Sequence, residues 1–306
     1  QTCALPILTM DRTDAMAWVM SLCQDHLRKS QAKTLSVLVA AAVATMRLTL
    51  AGIGRQVAAS TDAAAKGAIK RCWRFVANER VEPVEVMPAI MNHLWRRKLA
   101  WHARRPESRP LLVSLDWTKV RNFHVLMAAV VVEGRALPLC WESYRDRIQH
   151  KSQNALEEGM LARLQAALPD GVRILILADR GFGRAELIRT CQRLNLDYLI
   201  RVRGDVTVRV SGSRYYRGRL NNYAIRRGRC HSFTDAEYRS DGAVTTNLIL
   251  RWKRGLWRDK DTPWYLVTNR PVGRGSAKQL SDLYALRFDI EELFRDAKNE
   301  HLGWSL

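Results

Sequence analysis

Acidic side chains are in deficit: 30 Asp and Glu stand against 50 Lys and Arg, giving a formal charge of +20 and a pI near 10.3. A polyanionic partner, nucleic acid first, is the expectation. The cations run through the whole chain instead of gathering in one tail, so they belong to folded surfaces. The six cysteines form no C-x-x-C pair and do not cluster with histidines, which argues against structural zinc and fits a reduced, intracellular protein. None of the seven histidines has metal-ligand spacing such as H-E-x-x-H. Long apolar runs are also missing. The longest, Leu35 to Met46, spans about 12 residues between Lys33 and Arg47, too short for a bilayer, and reads as a buried helix. Asp11, Asp14 and Asp25 precede it, so no signal-peptide pattern is present.

What is present divides by texture. Residues 1–10 fit no element, begin at Gln1 without a Met and read as an unstructured or non-native leader, with Met10 a candidate start. Residues 11–100 read as an all-α DNA-binding domain with helices Asp14 to Leu27, Lys33 to Met46, Ser60 to Asn78 and Pro83 to Leu99. Breaks are expected at Gly52-Ile53-Gly54 and at Glu79-Arg80, and Ser60-Thr61 is the expected cap of the third helix. That helix carries Lys66, Lys70, Arg71 and Arg74 at three- and four-residue spacing, a stripe suited to a DNA backbone or groove, or else a solvated face. A very basic segment follows, with Arg96, Arg97, Lys98, Arg104, Arg105 and Arg109.

From residue 101 the pattern turns to strands. Leu111 to Trp117, Asn122 to Glu133 and Ala136 to Ser143 read as an antiparallel meander turning at Gly134-Arg135. A helix over Asn154 to Leu168, a buried strand over Arg173 to Ala178, a helix over Arg184 to Asn195 and a strand over Asp197 to Arg203 come next. The predicted fold class is therefore α/β: a ribonuclease-H-like mixed sheet flanked by helices, with an N-terminal all-α domain and a β-rich insertion. Residues 101–203 form the first part of the core. The insertion covers 204–262 and interleaves many arginines with Tyr215, Tyr216 and Tyr223, a composition suited to nucleic acid. Residues 263–306 return to the core through the strand Trp264 to Asn269, and a C-terminal region is expected beyond Leu306.

Two carboxylates occupy marked positions. Asp116 ends an apolar strand, and Asp179 follows ILILA directly before Arg180-Gly181, where open α/β sheets place ligand chemistry. A capping role in the following turn is the plain alternative for each. The third acid lies in SDLYALRFDIEELFRDAKNE, Ser281 to Glu300, which reads as one helix with Ser281 as N-cap. Tyr284, Arg287, Glu291 and Lys298 share one face of such a helix, within roughly 60° of one another. A solvated face with an Arg287–Glu291 pair is the ordinary reading of that stripe. A metal-holding carboxylate among phosphate-gripping neighbours is the other.

Asp116, Asp179 and Glu291, in that order and with Y-(2)-R-(3)-E-(6)-K matched at Tyr284, Arg287, Glu291 and Lys298, resemble the DDE transposases of bacterial insertion sequences. The branch resembled carries a β-rich insertion between its second Asp and its Glu; LDWT and ADRGF fit its acidic motifs. The likeness runs from about Ser60 to Leu306, and KRCWRFVAN is similar to that branch's DNA-end-binding domain. It implies metal-dependent cleavage of DNA and transfer of the freed 3′-OH to a second DNA. Asp116, Asp179 and Glu291 are the implied ligands of two Mg(II), with Mn(II) able to substitute. Tyr284, Arg287 and Lys298 are implied to bind phosphates, and Trp264 to be a platform for an extruded base, or alternatively a core residue. The implied partners are the element's terminal inverted repeats and target DNA, with a homodimer in the DNA complex, in the bacterial cytoplasm at the nucleoid. Another ribonuclease-H-like nuclease or resolvase, and a non-catalytic DNA-binding remnant, are the competing readings.

Overall fold

The computed structural model describes residues 11–103, 111–132, 134–145, 150–211, 215–239, 244–253, 262–273 and 275–299, with backbone alone at 97–103 and 150–152. The expectations for residues 1–10, for the end of the chain and for Arg104, Arg105 and Arg109 lie outside the described residues. Two compact units divide the chain: one from residues up to Arg104 together with those from Phe294, the other Arg105–Leu293.

The first unit contains α1 (Arg12–Cys23), α2 (Lys29–Thr45), α3 (Leu50–Ala59), α4 (Ala65–Val76) and α5 (Pro83–Ala103). Asp11 caps α1 by accepting the Asp14 amide at 2.7 Å, and Thr49 caps α3 by accepting the Gly52 amide at 3.2 Å. Two expectations are corrected here. Gly52-Ile53-Gly54 does not break the chain but lies inside α3, and Ser60 closes α3 instead of opening the next helix. The reason is packing. A Cβ on Gly54 would come within 2.6 Å of the Ile69 Cα on α4, so the glycine is where two helix backbones meet and is not a chain breaker. Val37, Leu38, Ile53, Val57, Ala68 and Cys72 fill the core around that crossing.

The second unit is built on a sheet. Its described strands are β1 (Leu111–Val120), β2 (Phe123–Val132), β3 (Arg135–Arg145), β4 (Ile174–Ala178), β5 (Asp197–Arg201), β6 (Thr207–Val210), β7 (Tyr216–Arg219), β8 (Cys230–Tyr238), β9 (Val244–Arg251) and β10 (Trp264–Thr268). The spatial order is β3-β2-β1-β4-β5-β10-β9-β8-β6-β7. β1, β4 and β5 run parallel, the other pairings are antiparallel, and the ribonuclease-H-like mixed sheet is as predicted. The insertion strands extend this same sheet beyond β10. Gly134 (φ 79°) makes the turn between β2 and β3, a conformation that glycine adopts without strain.

Helices α6 (His150–Ala166), α7 (Ala185–Arg193), α8 (Ser276–Ala285) and α9 (Phe288–Ala297) complete the described α-helices. Strand alternation puts Leu112 of β1 and Leu175 and Leu177 of β4 on one face, where they pack with Ala277, Leu280 and Tyr284 of α8. The single helix expected from Ser281 is in fact two. Ser281 is fully buried inside α8, its hydroxyl donating to the Ala277 carbonyl at 2.8 Å. Between α8 and α9 the amides of Leu286, Arg287, Asp289 and Ile290 bond three residues back, so the chain tightens there without Pro or Gly.

If Gly54 marks a backbone crossing, Gly54→Ala should cost about 1–3 kcal/mol through overpacking. Gly67→Ala on α4 meets nothing within 4 Å and should be neutral or stabilise by up to about 1 kcal/mol. Urea unfolding followed by the helical signal measures both, and equal effects would refute the crossing.

Candidate active site

The parallel ladder between β1 and β4 ends at the pair Leu115–Ala178. Asp116 is the next residue of β1, inside the strand and not at its end as expected, since β1 runs on to Val120; Asp179 is the first residue after β4. They share the face of Leu112, Leu175 and Leu177, since side chains two apart point the same way. All five residues of β4 are buried, so the Asp179 carboxylate sits where an apolar strand meets solvent. Its Oδ1 accepts the Gly181 amide at 2.7 Å; a Cβ on Gly181 would stand 3.0 Å from that oxygen.

Arg287 connects the third acid. It lies in the turn between α8 and α9, 5% exposed, and its guanidinium donates through Nη1 to Asp116 Oδ2 at 3.2 Å and through Nη2 to Glu291 Oε1. The guanidinium also lies 4.8 Å from the Phe288 ring centroid and 6.0 Å from that of Tyr284. Arg287 therefore neutralises two acids of the set, where a phosphate contact was expected, because a buried guanidinium needs anionic partners. The other Asp116 oxygen accepts the Trp117 amide at 2.8 Å.

Tyr284, expected to bind a phosphate, lies in the core, and for Trp264 the structure fits the core alternative. Tyr284 is 1% and Trp264 4% exposed, and their rings meet edge to face at 5.3 Å in the core beneath the site. Lys253 stands 4.9 Å over the indole. Lys298 follows α9, its amide bonded to the Phe294 carbonyl. In the helical unit, Lys66, Lys70 and Arg74 are exposed on α4, while Arg71, also exposed, donates to the Thr34 hydroxyl at 3.1 Å.

Three arginines were not singled out from sequence. Arg180, Arg201 and Arg203 line a cleft of about 690 Å³, with Tyr223, Trp252 and Tyr265, beside the carboxyl ends of β4 and β5. The available signal was Arg-x-Arg at the end of the strand next to the one bearing Asp179. Cations and aromatic rings in one cleft suit a nucleic-acid strand.

Among the described residues, no three His, Cys, Asp or Glu side chains close around a metal ion. The donor set nonetheless suits a hard divalent cation. Asp116, Asp179 and Glu291 offer oxygen alone, and burial pushes the Asp116 carboxyl up to about 6, with Arg287 opposing and the charges of Asp179 and Glu291 adding to the rise. A buried acid undercompensated by its own surroundings is one that an added cation stabilises.

Against this geometry, a family model described as the transposase DDE domain matches residues 102–305. The chain belongs to the transposase DDE domain family. No curated protein matches it. As a DDE transposase it carries the nuclease chemistry of that family, with DNA as its partner and a general dependence on divalent metal. No single described helix is long and apolar enough to cross a membrane.

The Asp116 carboxyl, near 3.8 when unperturbed, holds a proton in the folded transposase between about pH 4 and 6 that the unfolded chain has lost. Its contribution to stability is thus greatest at low pH and falls as pH rises through 6, by up to about 3 kcal/mol for a two-unit shift. Asp116→Asn cannot ionise. Without divalent ions its melting temperature should gain on the wild type as pH goes from 4 to 8; a pH-independent difference counts against the buried acid.

Proposed function

We propose that this chain is an insertion-sequence transposase of the branch bearing the Y-(2)-R-(3)-E-(6)-K signature. It would cut DNA strands at the element's ends and join the freed 3′-OH to target DNA. The observation that carries the reading is the arrangement of acids: Asp116 and Asp179 at equivalent positions of adjacent parallel strands, with Glu291 tied to Asp116 through Arg287. Two Mg(II) ions, held by Asp116, Asp179 and Glu291, supply activation of the attacking water or 3′-OH and stabilisation of the leaving oxygen when bound.

The chain's own residues prepare that site. Arg287 offsets the mutual repulsion of Asp116 and Glu291 and orients both by a two-pronged contact. Packing of Tyr284 on Trp264 fixes the turn from which Arg287 reaches. The Gly181 amide fixes the Asp179 carboxylate. Arg180, Arg201 and Arg203 offer the cleft beside Asp179 to phosphates of the cut strand, and Lys298 is a further candidate contact. Lys66, Lys70 and Arg74 on α4 suit binding to the terminal inverted repeats, in keeping with residues 11–100 acting as the DNA-binding domain. A homodimer on two paired ends, in the bacterial cytoplasm, completes the reading.

The test is nicking of DNA that carries the parent element's terminal repeats, with Mg(II) or Mn(II) and without. Glu291→Gln should reduce nicking by more than about a hundredfold, beyond the usual loss from an outer partner, with DNA binding kept. Glu292→Gln, about 100° around α9, should stay within about threefold. The reading fails if Glu292 is the essential acid; binding without metal-dependent nicking in the wild type would identify a DNA-binding remnant instead.

A salt series separates the cations. Each Ala substitution at Lys66, Lys70 or Arg74 should lower the slope of log affinity against log salt by about 0.9. Arg287→Ala should leave that slope unchanged and reduce nicking. A lowered slope for Arg287→Ala would return it to the phosphate-contact role first expected.

A further inference from the structure

Strand alternation that turns Asp116 toward α8 turns Trp117 to the opposite face of the sheet. There the indole N–H donates to Glu157 Oε1 of α6 at 2.7 Å. Glu157 is 2% exposed, a charge withdrawn from water. Its other oxygen, Oε2, accepts from Arg184 Nη1. Arg184 is itself 9% exposed, donates through Nη2 to the Asn154 carbonyl at 3.1 Å, and lies 3.6 Å from Glu158 Oε1.

Arg184 ends the turn that Asp179 begins. The Phe182 amide bonds the Asp179 carbonyl at 3.1 Å, and the Arg184 amide bonds the Phe182 carbonyl at 2.8 Å, before α7 starts at Ala185. One carboxylate thus holds two arms: the residue after Asp116, and the end of the turn that presents Asp179. A buried ion pair is a poor device for stability, since apolar groups of the same volume often serve as well. Its directional hydrogen bonds, by contrast, fix where its partners stand.

We infer that Glu157 is a positioning residue for catalysis: from the far face of the sheet it sets the spacing of Asp116 and Asp179 through Trp117 and Arg184. The inference rests on the proposed function above. It places a determinant of divalent-ion affinity on a helix that carries none of the three acids.

The experiment compares full-length wild type with Glu157→Gln, with Glu157→Met/Arg184→Met, with Trp117→Phe and with Asp116→Asn. Thermal unfolding, Mn(II) binding by electron paramagnetic resonance, and Mn(II)-dependent nicking of terminal-repeat DNA are measured for each. In the Met/Met pair the melting temperature should approach or exceed that of the wild type, while the Mn(II) concentration for half-saturation and for half-maximal nicking rises about 10–100-fold. Glu157→Gln should show the same rise with a lowered melting temperature. Trp117→Phe keeps the ion pair and ring and should give a smaller rise, about threefold to tenfold.

Wild-type Mn(II) affinity in a folded Met/Met variant overturns the inference, because packing alone would then explain Glu157. Should that variant not fold, wild-type values for Trp117→Phe overturn it equally. If wild type and Asp116→Asn bind Mn(II) alike and neither nicks DNA, the proposed function falls and this inference with it. If wild type binds and nicks while Asp116→Asn does neither, the function stands and the Glu157 variants alone decide.

Discussion

The parallel pairing of β1 with β4 sets the geometry on which the candidate site depends. The ladder stops at Leu115 and Ala178, and an aspartate follows each of them. A one-residue slip in this pairing would turn one carboxylate to the α6 side and bury it among apolar groups. The register is held by full burial of ILILA and by the packing of Leu112, Leu175 and Leu177 under α8. Core packing and carboxylate placement are therefore one constraint seen from two ends of a strand.

Like charges held together need a counter-charge, and Arg287 supplies one. It does so at low exposure, between aromatic rings, from a turn anchored by Tyr284 on Trp264. A guanidinium forms directional bonds to two carboxylates but cannot polarise a phosphodiester as a divalent ion does. Asp116 remains raised to about 6 despite it. Arg287 thus offsets only part of the cost of burying the Asp116 carboxylate, and an all-oxygen donor set of this kind suits a harder, doubly charged ion.

Asp116 and Asp179 were legible because apolar runs ending in Asp admit few interpretations once strand order is inferred. Of the partners of Arg287, Glu291 was foreseen as an ordinary i,i+4 pair, but Asp116 and the burial of the guanidinium were not. An Arg four residues before a Glu reads as a surface pair or a phosphate grip, and the turn that buries it has no Pro or Gly to announce it. Trp264 and Tyr284 were ambiguous because aromatic rings serve cores and bases alike, and burial decides between them. Gly54 was misread as a breaker since spacing along the chain does not reveal Ile69 across the helix crossing. Glu157 lay unnoticed on an amphipathic helix, where a glutamate is ordinarily solvated; its partners come from 40 residues before it and 27 after.

The order of the sheet has one more consequence. β3 and β7 end it, and an open row of strand amides is a template on which another chain can add. β7 is four residues long and carries Arg217 and Arg219, so a second copy approaching it meets like charge. β3 carries Pro138, which has no amide hydrogen to offer, beside the register shift at Ala128 and Ala129. Both ends thus discourage strand-to-strand aggregation, and the arginines that do so at β7 have a chemistry that also suits phosphates: the charge that keeps copies apart is the same kind of charge that draws them to DNA.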